Sequence, residues 1–107
     1  GIKQFKPQEI SNIIWSFATN KIEDRDFFKL CSFEVKKRGL DQFKPQNISN
    51  ILLSFAKCRI EDEDLFKLCS AEIKKRGIKQ FKPQEKSSIL WAFKKNKIKD
   101  KELFTMG

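Results

Sequence analysis

The chain contains no histidine, and that absence closes several classes of function at once. Without an imidazole there is no side chain that ordinarily titrates near neutral pH to serve as a general base, and the commonest metal ligand is missing. Its three cysteines, Cys31, Cys58 and Cys69, form no Cys-x-x-Cys pair, so a zinc site lacks both its usual ligands and their usual spacing. There is no glycine-rich loop to cradle a nucleotide phosphate, and no serine or cysteine stands beside a plausible base. No apolar run approaches the ~20 residues needed to cross a bilayer. The acidic pairs Glu23-Asp24 and Glu61-Asp62 are better read as helix N-terminal residues, where the dipole favours carboxylates by about 0.3–1 kcal/mol, than as catalytic carboxylates. The sequence therefore predicts no catalytic residue, no metal, no cofactor, no small-molecule substrate and no membrane partner.

What is present is charge, phenylalanine and repetition. Lysine and arginine number 23 against 14 aspartates and glutamates, a net charge of +9 over 107 residues. That balance favours polyanionic partners through long-range attraction and says nothing about fold. Eleven phenylalanines and two tryptophans supply an aromatic payload for burial. The four letters Phe-Lys-Pro-Gln occur at Phe5, Phe43 and Phe81, with an offset of 38 residues each time. Each copy opens the same phrase: FKPQEISNIIWSFA, FKPQNISNILLSFA and FKPQEKSSILWAFK. A fixed period of this size marks a solenoid or array. Repeat one spans residues 1–38, repeat two 39–76 and an incomplete repeat three 77–107, expected to cap the array. The chain begins at a repeat boundary, as a piece of a longer array would, so the lack of a targeting segment carries no information.

The fill of each repeat is helical. In repeat one, Pro7 suits the first helical position, where its missing N–H is no loss. Ile10, Ile13, Ile14 and Phe17 follow as one apolar stripe, and Phe5 with Ile10 has the spacing of a hydrophobic staple. This predicts a helix A over about residues 7–19 and a turn at Asn20-Lys21. Asp24 is a good N-cap for a helix B carrying Phe27, Leu30, Cys31 and Val35, which stops at Gly39. Repeat two predicts helices from about Pro45 and Asp62, with Gly77 as the stop. Helices this short are marginal alone, so the hairpins must stack. The expected fold is all-α, an α-solenoid of antiparallel helical hairpins with five to six helices. In repeat three Lys86 and Lys94 replace Ile10 and Ala18 on one helix face, which predicts that this face is wet and that Phe81, deprived of its staple partner, lies where the array meets water. Helix B of repeat three is expected from about Asp100, fraying at Thr105-Met106-Gly107. Cys31 and Cys69 are expected as buried thiols of an intracellular, reducing compartment, and Cys58 as an exposed turn residue.

Two sets of residues invite contact with a polyanion. The first is basic. Repeat one carries eight basic and five acidic side chains (+3), repeat two seven and six (+1), repeat three eight and three (+5). Lys21, Lys57, Arg59, Lys94, Lys95 and Lys97 flank the turn after helix A, and stacking would align them as a ribbon that a phosphate backbone can follow. The triplets Lys36-Lys37-Arg38 and Lys74-Lys75-Arg76 end helix B. They are open to two readings: phosphate contact, or cations placed where the helix dipole prefers them. The second set is a polar stripe on helix A: Gln8 and Asn12, then Gln46 and Asn50, then Gln84 and Ser88. Amides presented once per repeat can read base edges, as modular RNA readers do; alternatively Asn12 and Asn50 bond the neighbouring repeat and hold the stack. Position nine of the repeat (Glu9, Asn47, Glu85) varies, as an exposed reader position would. Trp15 and Trp91 are expected in the core between repeats, as Leu53 at the same place suggests, with base stacking the alternative.

Pro7, Gln8, Ser11, Asn12, Trp15, Phe17 and Ala18, followed by a turn and an Asp-x-x-Phe/Leu-Phe helix, resemble the octotricopeptide and heptatricopeptide repeats. They are similar also to the repeats preceding the RAP domain in FAST-kinase-domain-like proteins. The resemblance covers the whole chain and departs at Leu53, Ser88 and Lys94; no RAP domain is present in this stretch. It implies a helical-hairpin solenoid acting in mitochondrial or plastid RNA metabolism, including ribosome-associated roles, with single-stranded or ribosomal RNA as partner. Similar repeats in intracellular bacteria keep a protein-interaction scaffold, as part of a larger assembly or an effector, as the second expectation.

Overall fold

All three prolines of the chain begin a helix. In a computed structural model, which describes residues 1–105, the order is α1 (Pro7–Thr19), α2 (Arg25–Arg38), α3 (Pro45–Lys57), α4 (Glu63–Arg76), α5 (Pro83–Lys95) and α6 (Lys101–Thr105). Short 3-10 turns at Ile2–Gln4 and Ile78–Gln80 lead into repeats one and three. No strand occurs among the described residues, and the all-helical repeat is as the sequence requires. The expected fraying beyond Thr105 falls on Met106 and Gly107, outside the described residues.

Each A helix starts by the same device. The N-cap is a lysine, Lys6, Lys44 or Lys82, which has no side-chain acceptor to offer the helix. The residue three positions on compensates in the other direction. Glu9 and Glu85 accept from the Lys6 and Lys82 backbone N–H at 2.7 Å, and Asn47 from Lys44 at 2.9 Å. This is the reciprocal half of a capping box. Position nine of the repeat is thus a capping residue, and Asn47 is buried, which corrects its reading as an exposed variable position. B helices are capped by aspartate: Asp24, Asp62 and Asp100 accept from Phe27, Leu65 and Leu103 N–H at 3.0–3.1 Å. They end at Gly39 (φ 79°) and Gly77 (φ 91°), whose N–H groups donate to Val35 and Ile73.

The hairpins stack into a body of 37 × 25 × 22 Å. Neighbouring A helices (α1, α3, α5) lie against one another along much of their length, while α2 and α4 touch over a shorter stretch. The A layer is therefore the inner, tighter side of the stack and the B layer the outer, splayed side. A Phe of each B helix meets a Phe of the next repeat's A helix edge-on, Phe28 with Phe55 and Phe66 with Phe93, both at 5.0 Å between ring centres. Phe43, Ile48 and Phe81 are all buried, while Phe5 is only half-buried. This corrects the expectation for Phe81. What covers Phe43 and Phe81 is the preceding repeat, which Phe5 lacks, and not the staple partner alone. Lys94 is exposed and Lys86 partly so, in line with a wet face there.

Arg38 and Arg76 close each repeat on its own beginning. Arg38 pairs with Glu34 at 2.7 Å and donates to the Phe5 carbonyl at 2.8 Å. Arg76 pairs with Glu72 at 2.7 Å and donates to the Leu40 carbonyl at 2.7 Å.

Candidate nucleic-acid interface

The outward face of each A helix carries the polar stripe that the spacing predicts. Gln8, Asn12, Gln46 and Gln84 are exposed, and Asn50 and Ser88 half-buried. Among the described residues none of these side chains makes a hydrogen bond. Asn12 and Asn50 therefore do not hold the stack. That task falls to the neighbouring position: the buried Ser11 hydroxyl donates across repeats to the Asn47 carbonyl at 3.2 Å. The amides are left with unmet hydrogen-bonding capacity on an accessible face.

Because the A helices lie close together, the stripes of successive repeats form one groove rather than separate patches. A concavity is lined by Trp15 of α1, by Gln46, Asn50 and Leu53 of α3, and by Gln84 and Ser88 of α5. Ser49, Lys82 and Glu85 also line it; Glu85 belongs to the variable position nine, while sequence reasoning passed over Ser49 and Lys82. Their recurrence at repeat positions 11 and 6 was the available signal. Trp15 is half-exposed at the groove and Trp91 is exposed on α5, so neither lies in the core between repeats. The apolar run misled here: at one turn from the buried stripe, position 15 faces outward on α1 and α5. Lys57 holds its ammonium over the Trp15 ring, 4.9 Å from its centre, an attraction between cation and ring face.

At the C-terminal end of the groove stand the turn cations. Lys21, Lys57, Arg59, Lys94, Lys95 and Lys97 are all exposed, and none is in an ion pair among the described residues. Successive turns are fastened together at the repeat position held by Asn20, Cys58 and Asn96. The Asn96 amide donates to the Ile60 carbonyl at 3.3 Å, and the Cys58 thiol lies 3.9 Å from the Ile22 carbonyl. Cys58 is consequently buried, contrary to its expected exposure, since the turn of repeat one covers it. Burial pushes its thiol pKa up, and the charge of Glu23 adds to the rise.

The triplets at the B-helix ends are differently employed. Lys36 bridges to Asp62 of the next repeat at 2.9 Å and Lys74 to Asp100 at 2.9 Å. Ser32 and Ser70 donate to the same two carboxylates. With Arg38 and Arg76 clamping each repeat, four of the six cations are engaged inside the fold. Lys75 has an exposed pairing with Asp41 at 3.7 Å, and Lys37 is exposed without a partner among the described residues. Burial alone would raise the Asp62 and Asp100 carboxyls. The hydrogen bonds from serine, lysine and backbone, with the lysine charge, outweigh it and hold both below the usual range. Neither the comparison with curated proteins nor that with solved structures gives a match. The family model described as RNA-editing substrate-binding complex 6 protein matches residues 2–106. With practically its whole length matched, the chain belongs to the RNA-editing substrate-binding complex 6 protein family.

Proposed function

We propose that this chain is a non-catalytic module that binds single-stranded RNA along the inner layer of A helices, within an RNA-editing or related RNA-processing assembly. The observation that carries the reading is the groove itself. Unsatisfied amides from two helices and an accessible indole face converge there, with exposed cations at one end and Glu85 as the one acidic lining residue, beside Lys82. Amides read base edges, an aromatic face stacks on any base, and cations take the backbone phosphates. The family description, of a complex that binds RNA-editing substrates, supports the same partner class. A mitochondrial or plastid location follows from the repeat resemblance, and ribosomal RNA belongs to the same proposal as an alternative single-stranded target.

The second reading is a protein-interaction scaffold. Phe33 and Leu30 are exposed on the outer face of α2, two-thirds and one-half accessible respectively, and apolar side chains there suit a protein partner. The two readings separate in one measurement. Binding of a labelled single-stranded RNA of about 12 nucleotides is followed from about 50 to about 200 mM salt. RNA binding requires log K to fall with log salt by about 0.7 for each phosphate neutralised. Absence of binding at the low-salt end removes the RNA reading.

A further inference from the structure

Every A helix ends in the same backbone cap, and the cap is occupied by the wrong residue for its shape. The Ile22 N–H donates to the Phe17 carbonyl at 2.8 Å, and the Lys21 N–H to Ala18 at 3.1 Å. Ile60 with Phe55 and Arg59 with Ala56 repeat the pair, as do Ile98 with Phe93 and Lys97 with Lys94. This double bond pattern requires a left-handed backbone at the residue in between, where glycine is by far the commonest choice. Here the residues are Lys21, Arg59 and Lys97, with φ of 58°, 55° and 56°. The chain does use glycine where its B helices end in positive φ, at Gly39 and Gly77. It places a cation at the corresponding stop of all three A helices.

The helix dipole explains part of this, since cations are favoured near a C-terminus. It does not explain the left-handed position on α3 and α5, where Lys57, Lys94 and Lys95 already supply cations in the last helical turn without strain; α1 has no such cation, and there Lys21 serves the dipole as well. A residue inside a helix leans its side chain back toward the N-terminus. A left-handed residue beyond the last turn is released from that constraint. Lys21, Arg59 and Lys97 are exposed and pair with no carboxylate among the described residues, although Glu23 and Glu61 stand two positions further on. The turn-to-turn bonds through Cys58 and Asn96 lock the spacing, so the three cations advance by one packed helix, about 8–10 Å, per repeat.

We propose that Lys21, Arg59 and Lys97 form a phosphate rail that takes phosphodiester groups of the bound strand, one per repeat, and so fixes its register along the base-reading groove. The inference rests on the RNA-binding reading and names the residues that set spacing within it.

The test exploits two effects of opposite sign. Replacing Lys21, Arg59 and Lys97 by glycine, singly and together in the full chain, relieves the left-handed strain while deleting the cations. Each single variant is expected to keep or raise Tm, by up to about 4 °C, because glycine fits the cap. Each should weaken binding of a single-stranded RNA of about 12 nucleotides by about threefold to tenfold near 50 mM salt. The salt slope should become shallower by about 0.7 per residue replaced. Lys29→Gln on α2 removes the same charge from the B layer and should leave the slope unchanged. If the parent chain binds RNA but the triple glycine variant keeps its slope, or Lys29→Gln lowers the slope equally, the rail is wrong and the RNA reading stands. If the parent chain does not bind RNA at low salt, both fall together.

Discussion

Single side chains in this protein are assigned their work by the repeat on either side. Cys31, with a pKa pushed up to about 12 by burial, and Cys69, pushed higher still by burial and by the charges of Asp62 and Glu72, have practically no thiolate at neutral pH. Both are fully buried, so alkylation by iodoacetamide in native buffer should leave them unmodified for as long as the fold holds, and their labelling should rise along the urea unfolding curve. Asp62 shows the same dependence on a neighbour. Its carboxylate caps α4, accepts from Ser32 and pairs with Lys36, all at once. Its folded pKa lies below its unfolded value. The stabilisation is therefore complete above the unfolded pKa of about 4 and is lost as pH falls through the folded one. Asp62→Asn keeps the cap but not the charge, and should cost about 1–2 kcal/mol in urea unfolding at pH 7. The gap between variant and parent should close as pH drops below about 4.

At the scale of the element, the Phe-Lys-Pro-Gln stretch divides its labour residue by residue. Proline starts the helix, lysine occupies a cap position that it cannot itself satisfy, and phenylalanine enters the core. The glutamine faces the groove, which in repeat three Lys82 lines as well. Phe43 and Ile48 are buried at the centre of the stack, where both flanking repeats close over them. Phe43→Ala or Ile48→Ala is expected to cost about 2–5 kcal/mol of stability, read from thermal or urea unfolding. Phe5→Ala, at the half-covered end position, should cost clearly less. The B helix is the element whose sequence was least transparent. Lys-Lys-Arg at its end reads equally well as a phosphate site or as dipole compensation. Only the stack shows that Lys36 and Lys74 reach the next repeat's cap while Arg38 and Arg76 fold back on their own repeat's entry.

For the whole molecule, the decisive asymmetry is between the two layers. Basic side chains on the B layer are largely engaged in bonds between or within repeats, while those of the A-layer turns face solvent. A net charge of +9 is thus concentrated in effect on the side that carries the amide groove. Replacing Lys95 and Lys97 by glutamate should abolish low-salt RNA binding while leaving the far-ultraviolet helical signal unchanged, because neither residue touches the core. A protein scaffold using the outer face would be indifferent to that change and would respond to Phe33→Ala instead.

The period of 38 residues, the starts of the A helices and the caps of the B helices were determined by the sequence alone, because each rests on contacts spanning a few residues: proline at a first turn, aspartate at a cap, glycine at a left-handed stop. So was the candidate stripe, since spacing by three and four residues places Gln8 and Asn12 on one face whatever the surroundings. What only the tertiary structure decided lies between residues about 30 and 36 apart: Ser32 with Asp62, Ser11 with Asn47, Asn96 with Ile60. A polar or apolar side chain at one face of a helix has no fixed meaning until the next hairpin covers that face or leaves it open. For that reason Cys58 and Phe81 proved buried, Trp91 proved exposed, and the turn cations were left without ion pairs among the described residues while most of the B-helix triplet cations found partners.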